Sequence, residues 1–335
     1  MIRTAHPPET FPVNTLLGLR LAGVTSAASA AAAEWIGRGD KDSADKSAVT
    51  AMDEALERSH IPCVVTIGEG EKDEAPMLAH GHIYGEGKPL FDLTADPIEG
   101  TTRLSKGRPG SMSVLALAER GTFPEWDGIS YMNKLFVSPE ASELMDNGDI
   151  GLHKNPAHNI RLIAKALKKP ISELNVAVLN REKRNRDILK AARWLGVHLM
   201  PLDSGDLFPA MQACEPARNR RVDVLYGSGG APEGVLAAAY VAIAGGNGQL
   251  MWHPQTDQEV ATAHELELNG KPLSLGEAVG KGPLYFAATG ITDSPKHKPN
   301  ERPMLKGAQN FEGDWYPGTS IMVYRPGRSA QNGKH

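Results

Sequence analysis

Apolar positions follow two different rhythms along the chain. Beyond residue 155, short apolar runs alternate with stretches of helical spacing: 176–179 reads as a strand, 186–195 as a helix, 197–202 as a strand, 207–213 as a short helix and 222–226 as a buried strand. That last run leads through a Gly-rich turn into an apolar helix at 234–244, and 248–253 reads as a further strand. Such alternation predicts βαβ units. Before 155 the rhythm changes. Helical stretches at 15–36 and 44–58 precede strands at 64–67, 90–95, 113–118 and 134–137 with no helices between them, which predicts an antiparallel or mixed sheet. The expected class is α/β, with an N-terminal α+β half at 14–154, a C-terminal α/β half at 155–325 and a frayed tail at 326–335. No internal repeat is apparent.

Composition narrows the function classes. The 335 residues, 41% hydrophobic and 23% charged, suit two modest domains or one large α/β fold. Lys and Arg number 36 against 40 Asp and Glu, so a net charge of -4 offers no field for gripping a polyanion, and nucleic acid is not an expected partner. The two cysteines, Cys63 and Cys214, lie far apart without a CxxC, which predicts neither a disulfide framework nor a zinc knuckle and makes the cytoplasm the expected compartment. The run from Thr15 to Ala33 superficially resembles a signal peptide. Arg20 interrupts it, however, Pro7, Pro8 and Pro12 precede it, and Glu9 stands where a basic leader belongs. An Ala-rich helix stopped at Gly37 and Gly39 explains it better. No other segment approaches bilayer length, so the reading is of a soluble chain.

Candidate chemistry gathers where strands end. After 64–67 comes Gly68-Glu69-Gly70-Glu71-Lys72-Asp73-Glu74, and after 90–95 comes Asp96-Pro97-Ile98-Glu99-Gly100-Thr101-Thr102. Each run alone reads equally as an acidic surface turn. Together they offer several carboxylate oxygens among small neighbours, the donor set that hard divalent cations require. Pro97 biases Asp96 away from helical geometry, so Asp96 and Glu99 can face one point, while Gly100, Thr101 and Thr102 supply N–H groups and hydroxyls suited to phosphate. Asp45 and Glu233 sit near expected helix starts, where a carboxylate serves as a cap or dipole partner as readily as a metal ligand. Asn180 to Arg184 follow a strand and can counter a second phosphate, or open the next helix as a solvated basic loop.

Six collinear motifs carry a family resemblance: WIGRGDKDSAD, IGEGEKDEAPML, DPIEGTT, YMNKL, LYGSGGAPEG and ATGIT, running from Trp35 to Thr292. They resemble class II fructose-1,6-bisphosphatase, the bacterial type within the lithium-sensitive sugar and inositol phosphatase superfamily. The resemblance implies a layered α-β-α-β-α sugar-phosphatase fold with the metal site between two halves. By resemblance, Asp45, Glu69, Asp96, Glu99 and Glu233 are the Mg²⁺ or Mn²⁺ ligands, with the Ile98 carbonyl a further one. Thr101 then positions the attacking water and Asp73 supports its deprotonation. Gly100, Thr101, Tyr131, Arg181, Lys183, Asp206 and Gly230 match substrate-contacting positions.

The activity implied is hydrolysis of the 1-phosphate of fructose 1,6-bisphosphate, in gluconeogenesis or the Calvin and pentose phosphate cycles, by a cytoplasmic homo-oligomer, dimer or tetramer. Sedoheptulose 1,7-bisphosphate, another sugar bisphosphate or an inositol phosphate is the alternative substrate. Three positions depart from the family pattern: Ser204-Gly205-Asp206 replaces Asp-Gly-Asp, Arg181-Glu182-Lys183-Arg184 replaces a Lys-Pro-Arg-His type segment, and Arg103 adds a cation. A rival of another class, an NAD-binding oxidoreductase, is prompted by Gly227-Ser228-Gly229 after a buried strand. Pro232 occupies the third glycine position of GxGxxG, and no acidic residue ends the following strand.

Overall fold

The chain builds two six-stranded mixed sheets. The structure, a computed structural model, describes residues 11–67, 77–124, 130–292 and 320–325. The first sheet takes β1 (Cys63–Ile67), β2 (Ile83–Tyr84), β3 (Phe91–Glu99), β4 (Met112–Glu119), β11 (Leu284–Gly290) and β12 (Ser320–Arg325) in the order β12-β11-β4-β3-β1-β2. The second takes β5 (Tyr131–Val137), β6 (Asn175–Leu179), β7 (His198–Leu202), β8 (Val224–Gly230), β9 (Asn247–Trp252) and β10 (Leu273–Ser274) in the order β10-β9-β5-β8-β6-β7. The helices are α1 (Phe11–Ala33), α2 (Lys41–Ser59), α3 (Thr101–Ser105), α4 (Ser142–Asp146), α5 (Pro156–Ala166), α6 (Glu182–Leu195), α7 (Leu207–Ala213), α8 (Ala231–Ala244), α9 (Asp257–Glu265) and α10 (Leu275–Val279).

Strand periodicity dictates the layering, because alternate side chains enter different cores. Along β4, Leu115 and Leu117 pack with Leu21, Val24 and Ala28 of α1 and Met52 and Leu56 of α2. Val114, Ala116 and Ala118 point the other way, into a core shared with Val235 and Leu236 of α8 and with Met132 and Phe136 of β5. The opposite face of β5, Leu135 and Val137, packs with Ile160 and Ile163 of α5 and Leu189 of α6. The result is the layered α-β-α-β-α arrangement. Both faces of each sheet are covered, which is why most strand residues read as continuous apolar runs.

α1 is apolar on nearly every side. Its segment Leu16–Ala33 is long and apolar enough to cross a membrane, by length and composition. It is packed all the same: Thr25 Oγ1 lies 2.8 Å from Thr289 Oγ1 and Ser29 donates to the Gly290 carbonyl at 2.8 Å, fastening the helix to β11.

Two sequence expectations need revision. The Gly-rich stretch after 226 is not a turn, for β8 continues through Gly230 and pairs Gly227, Ser228, Gly229 and Gly230 with Lys134, Asn133, Met132 and Tyr131. α8 then begins at Ala231, earlier than expected. Sheet membership also departs from chain order. β5 precedes residue 155 yet pairs in the second sheet, whereas β11 and β12 follow it and pair in the first. The tail at 326–335 lies outside the described residues.

Candidate functional site

The corner after β3 is shaped by a bulge. Asp96 pairs with Val114 and Glu99 with Met112, so three steps along β3 span two along β4. Residues three apart on a regular strand face opposite sides; the extra residue turns Glu99 back toward Asp96. Pro97 brings no N–H to the ladder, and Asp96 Oδ1 accepts the Ile98 N–H at 2.9 Å, closing the corner locally. Gly100 follows at φ +85°, where a Cβ would stand 3.4 Å from the Gly110 carbonyl oxygen. The positive φ is what favours glycine there, since the Cβ distance is ordinary contact.

α8 delivers a third carboxylate from the central layer. Glu233 lies in its first turn, with Gly230 as N-cap and Pro232 beside it, so the positive end of the helix favours the charge. The Glu233 side chain folds back over Gly230, where a Cβ would come within 2.7 Å of Oε1. One oxygen each of Asp96, Glu99 and Glu233 falls within 4.8 Å of the others.

Asp96 and Glu99 are only 4% and 3% exposed. Burial pushes the Glu99 carboxyl up to about 8, the neighbouring Asp206 and Glu233 carboxylates push the same way, and the Leu207 N–H and Lys134 oppose them. An all-oxygen set of crowded acids, two buried and Glu233 half-buried, suits a hard divalent cation, which removes the mutual repulsion that otherwise drives protonation.

Asp45 reaches the same corner from α2. The capping role goes to Asp40, whose Oδ1 accepts the Ser43 N–H at 3.0 Å, so Asp45 is not the cap. Thr101 directs its hydroxyl at Asp45 Oδ1, 3.3 Å away, and at the Ile98 carbonyl, 3.1 Å away. Lys41 of the same helix donates to Thr102 Oγ1 at 2.8 Å and sets a cation on the rim.

A loop from the second sheet closes against this corner. Arg103 Nε donates to the Ser204 carbonyl at 2.8 Å, and a Cβ on Gly205 would meet Gly100 Cα at 3.5 Å. Arg103 thus ties the loop down rather than reaching outward. The Asp203 carboxylate pairs with Arg108, and the Asp203 carbonyl accepts from exposed Arg181 at 2.8 Å. Asp206, 4% exposed, accepts from Lys134 Nζ at 2.8 Å, and the next residue, Leu207, donates its N–H to Glu99 Oε1 at 2.7 Å.

Tyr131 starts β5 opposite Gly230, and the Arg184 guanidinium sits over its ring at 4.0 Å. Arg184 Nη1 is buried and has no hydrogen-bond partner among the described residues. Asn185, next along a non-helical step in α6, fixes this segment through the Leu179 carbonyl and the Ser228 N–H. Lys183 is exposed at the start of α6.

The geometry therefore gathers Asp96, Glu99, Glu233, Asp45, Thr101, Gly100 and Asp206 around one corner, with Tyr131 beside Gly230 and Arg181 out on the loop. Glu69 and Asp73 lie outside the described residues. Two participants were not singled out from sequence, Lys134 and the Leu207 N–H, whereas Arg184 belongs to the basic segment already read as a counter-charge for a second phosphate. Lys134 carries a signal of its own, a lysine on the inward face of a strand between Met132 and Phe136.

Comparison with known proteins identifies relatives of the chain. The chain is 38% identical over 291 residues to fructose-1,6-bisphosphatase 1 class 2 of Escherichia coli K12, covering 82% of this chain and 84% of that protein. The same figures hold for fructose-1,6-bisphosphatase class 2 of Shigella flexneri. The family model described as bacterial fructose-1,6-bisphosphatase, glpX-encoded, matches residues 15–322. With nearly the whole chain matched, this protein belongs to the bacterial, glpX-type fructose-1,6-bisphosphatase family.

Proposed function

We propose that the chain hydrolyses the 1-phosphate of fructose 1,6-bisphosphate to fructose 6-phosphate and inorganic phosphate, at a divalent-metal site between its two sheets. The observation that carries this is the convergence of Asp96, Glu99 and Glu233 beside the Asp45–Thr101 contact. The ion is Mg²⁺ or Mn²⁺, held by Asp45, Glu69, Asp96, Glu99 and Glu233. Bound there, it supplies Lewis-acid neutralisation of phosphate charge.

The remaining work belongs to the chain's own groups. Thr101, its hydroxyl already shared between Asp45 and a carbonyl, orients the attacking water. Asp73 takes the proton as the water oxygen attacks phosphorus and the bond from phosphorus to the C1 oxygen breaks, and the departing C1 oxygen takes up a proton from solvent to become the hydroxyl of fructose 6-phosphate. Gly100 lets backbone N–H groups approach the reacting phosphate. Arg181 and Lys183, joined by Arg184 over Tyr131, face the second phosphate, and Asp206 and Gly230 contact the sugar. Ligands from before residue 155 thus meet Glu233 and the sugar contacts from after it. Positioning and charge neutralisation dominate catalysis of this kind. The expected context is a cytoplasmic homo-oligomer acting on a free sugar bisphosphate, with neither nucleic acid nor membrane as partner.

Phosphate release tests the proposal across fructose 1,6-bisphosphate, sedoheptulose 1,7-bisphosphate and inositol monophosphates, each with Mn²⁺, Mg²⁺ or a chelator. Turnover of fructose 1,6-bisphosphate that the chelator abolishes is the expected result. Inactivity on it with both ions, alongside turnover of an inositol phosphate, would move the assignment to that substrate.

A further inference from the structure

Lys134 is among the largest fully buried side chains, 1% exposed, on the β5 face that sends Met132 and Phe136 into the central apolar core. An ammonium there is costly unless it has a partner and a built slot. Both are present. Nζ donates to Asp206 Oδ2 at 2.8 Å. Two glycines make the passage: a Cβ on Gly229 would come 2.9 Å from Nζ, and one on Gly234 would come 3.2 Å from Cε. β8 and the first turn of α8 therefore both omit a side chain where the lysine runs. The segment it grips is one step long. Asp206 is held by Lys134, and Leu207 gives its N–H to Glu99.

We infer that Lys134 is a positioning residue for substrate recognition: by fixing Asp206 Oδ2 it sets the orientation of the carboxylate that contacts the sugar. The inference rests on the proposed function, which assigns Asp206 to the substrate. A lysine serving only fold stability would lower the melting temperature and leave the kinetics of the folded enzyme alone. Positioning instead predicts a split, with KM raised by more than kcat falls, because the carboxylates holding the ion are carried by β3 and α8 and meet the gripped segment through the Leu207 N–H, a backbone contact that Lys134 variants leave in place.

Steady-state kinetics with fructose 1,6-bisphosphate at saturating Mn²⁺ distinguish the two roles. Lys134→Met should raise KM by about tenfold or more, the effect of losing one hydrogen bond to a charged group, with kcat within about threefold. Lys134→Gln, which keeps a donor, should fall between wild type and Lys134→Met. The double variant Lys134→Met with Asp206→Asn should be no worse than Asp206→Asn alone, since the lysine acts through that carboxylate. An unchanged KM in Lys134→Met, equal losses in the Met and Gln variants, or losses that multiply in the double variant would each overturn the inference. If Lys134→Met does not fold, Lys134→Gln carries the same expectation of a raised KM. Wild type assayed in parallel separates the claims. Its inactivity on fructose 1,6-bisphosphate counts against the proposed function, whereas an active wild type with unaffected Lys134 variants counts against this inference alone.

Discussion

Asp96 does two jobs at once, and they predict different costs. Its Oδ1 caps the Ile98 N–H, and its carboxylate joins Glu99 and Glu233. Asp96→Asn keeps an oxygen for the first job and removes the charge needed for the second. Turnover should fall on the order of a thousandfold, the scale of several kcal/mol of lost charge stabilisation, while the melting temperature changes little. Near-wild-type phosphate release from this variant would remove Asp96 from the site.

Glu99 gives a pH test that needs no substrate. Its folded-state pKa, pushed from 4.5 to about 8 by burial and by Asp206 and Glu233, makes the folded protein hold a proton that the unfolded chain releases. In metal-free protein this contribution to stability is fully present below pH 4.5 and is lost as pH rises toward 8. Melting curves with chelator should therefore fall across that window, and saturating Mn²⁺, which favours the carboxylate, should offset the fall. A metal-free slope of opposite sign in Glu99-containing protein, unchanged by Glu99→Gln, would contradict the crowding of these acids. At this scale the sequence was informative about residue types, since acids after strands and between small neighbours pointed to metal and phosphate. It was silent about Lys134 and about the stacking of Arg184 on Tyr131, which depend on what stands across from them.

At the scale of elements, local rules and tertiary rules divide the outcome. α1, α2, β1, β4 and β6 follow from propensity and apolar runs alone. The Gly-rich stretch of β8 does not, because its glycines are explained by what crowds them: Asp206, Leu179 and Lys134 at Gly229, Glu233 at Gly230. Local turn chemistry had no access to those neighbours. β11 went unread for a related reason, as its Ala287-Ala288-Thr289-Gly290 is weakly strand-forming and is held by pairing with β4 and β12 and by α1. The proposed mechanism depends on the β3–α3 corner, where the chain turns at Gly100 with φ +85°. Gly100→Ala places a methyl at φ +85° against the Gly110 carbonyl. It should cost about 1–2 kcal/mol of stability and lower kcat by displacing Thr101. Chemical denaturation and initial rates measure the two effects; a variant unchanged in both would show that the corner tolerates an ordinary residue.

At the scale of the molecule, the site exists only because two sheets meet. Asp96 and Glu99 come from the first sheet, Glu233 from the helix between the sheets, and Asp206 from a loop of the second. Arg103 and Arg108 cross the same divide to hold the Ser204 carbonyl and the Asp203 carboxylate. Reading the chain in order suggested two consecutive halves, yet β5 and β11 pair across that order. Such long-range strand pairing is fixed by the shape of the assembled core rather than by any local pattern.

Calorimetric titration of metal-free protein with Mn²⁺, run for wild type, Asp96→Asn and Glu233→Gln and paired with phosphate release from fructose 1,6-bisphosphate, tests the shared metal site most directly. Saturable binding by wild type, weakened in both variants together with turnover although their ligands come from different elements, is the expected result. Equal Mn²⁺ affinity and activity in all three proteins would contradict it.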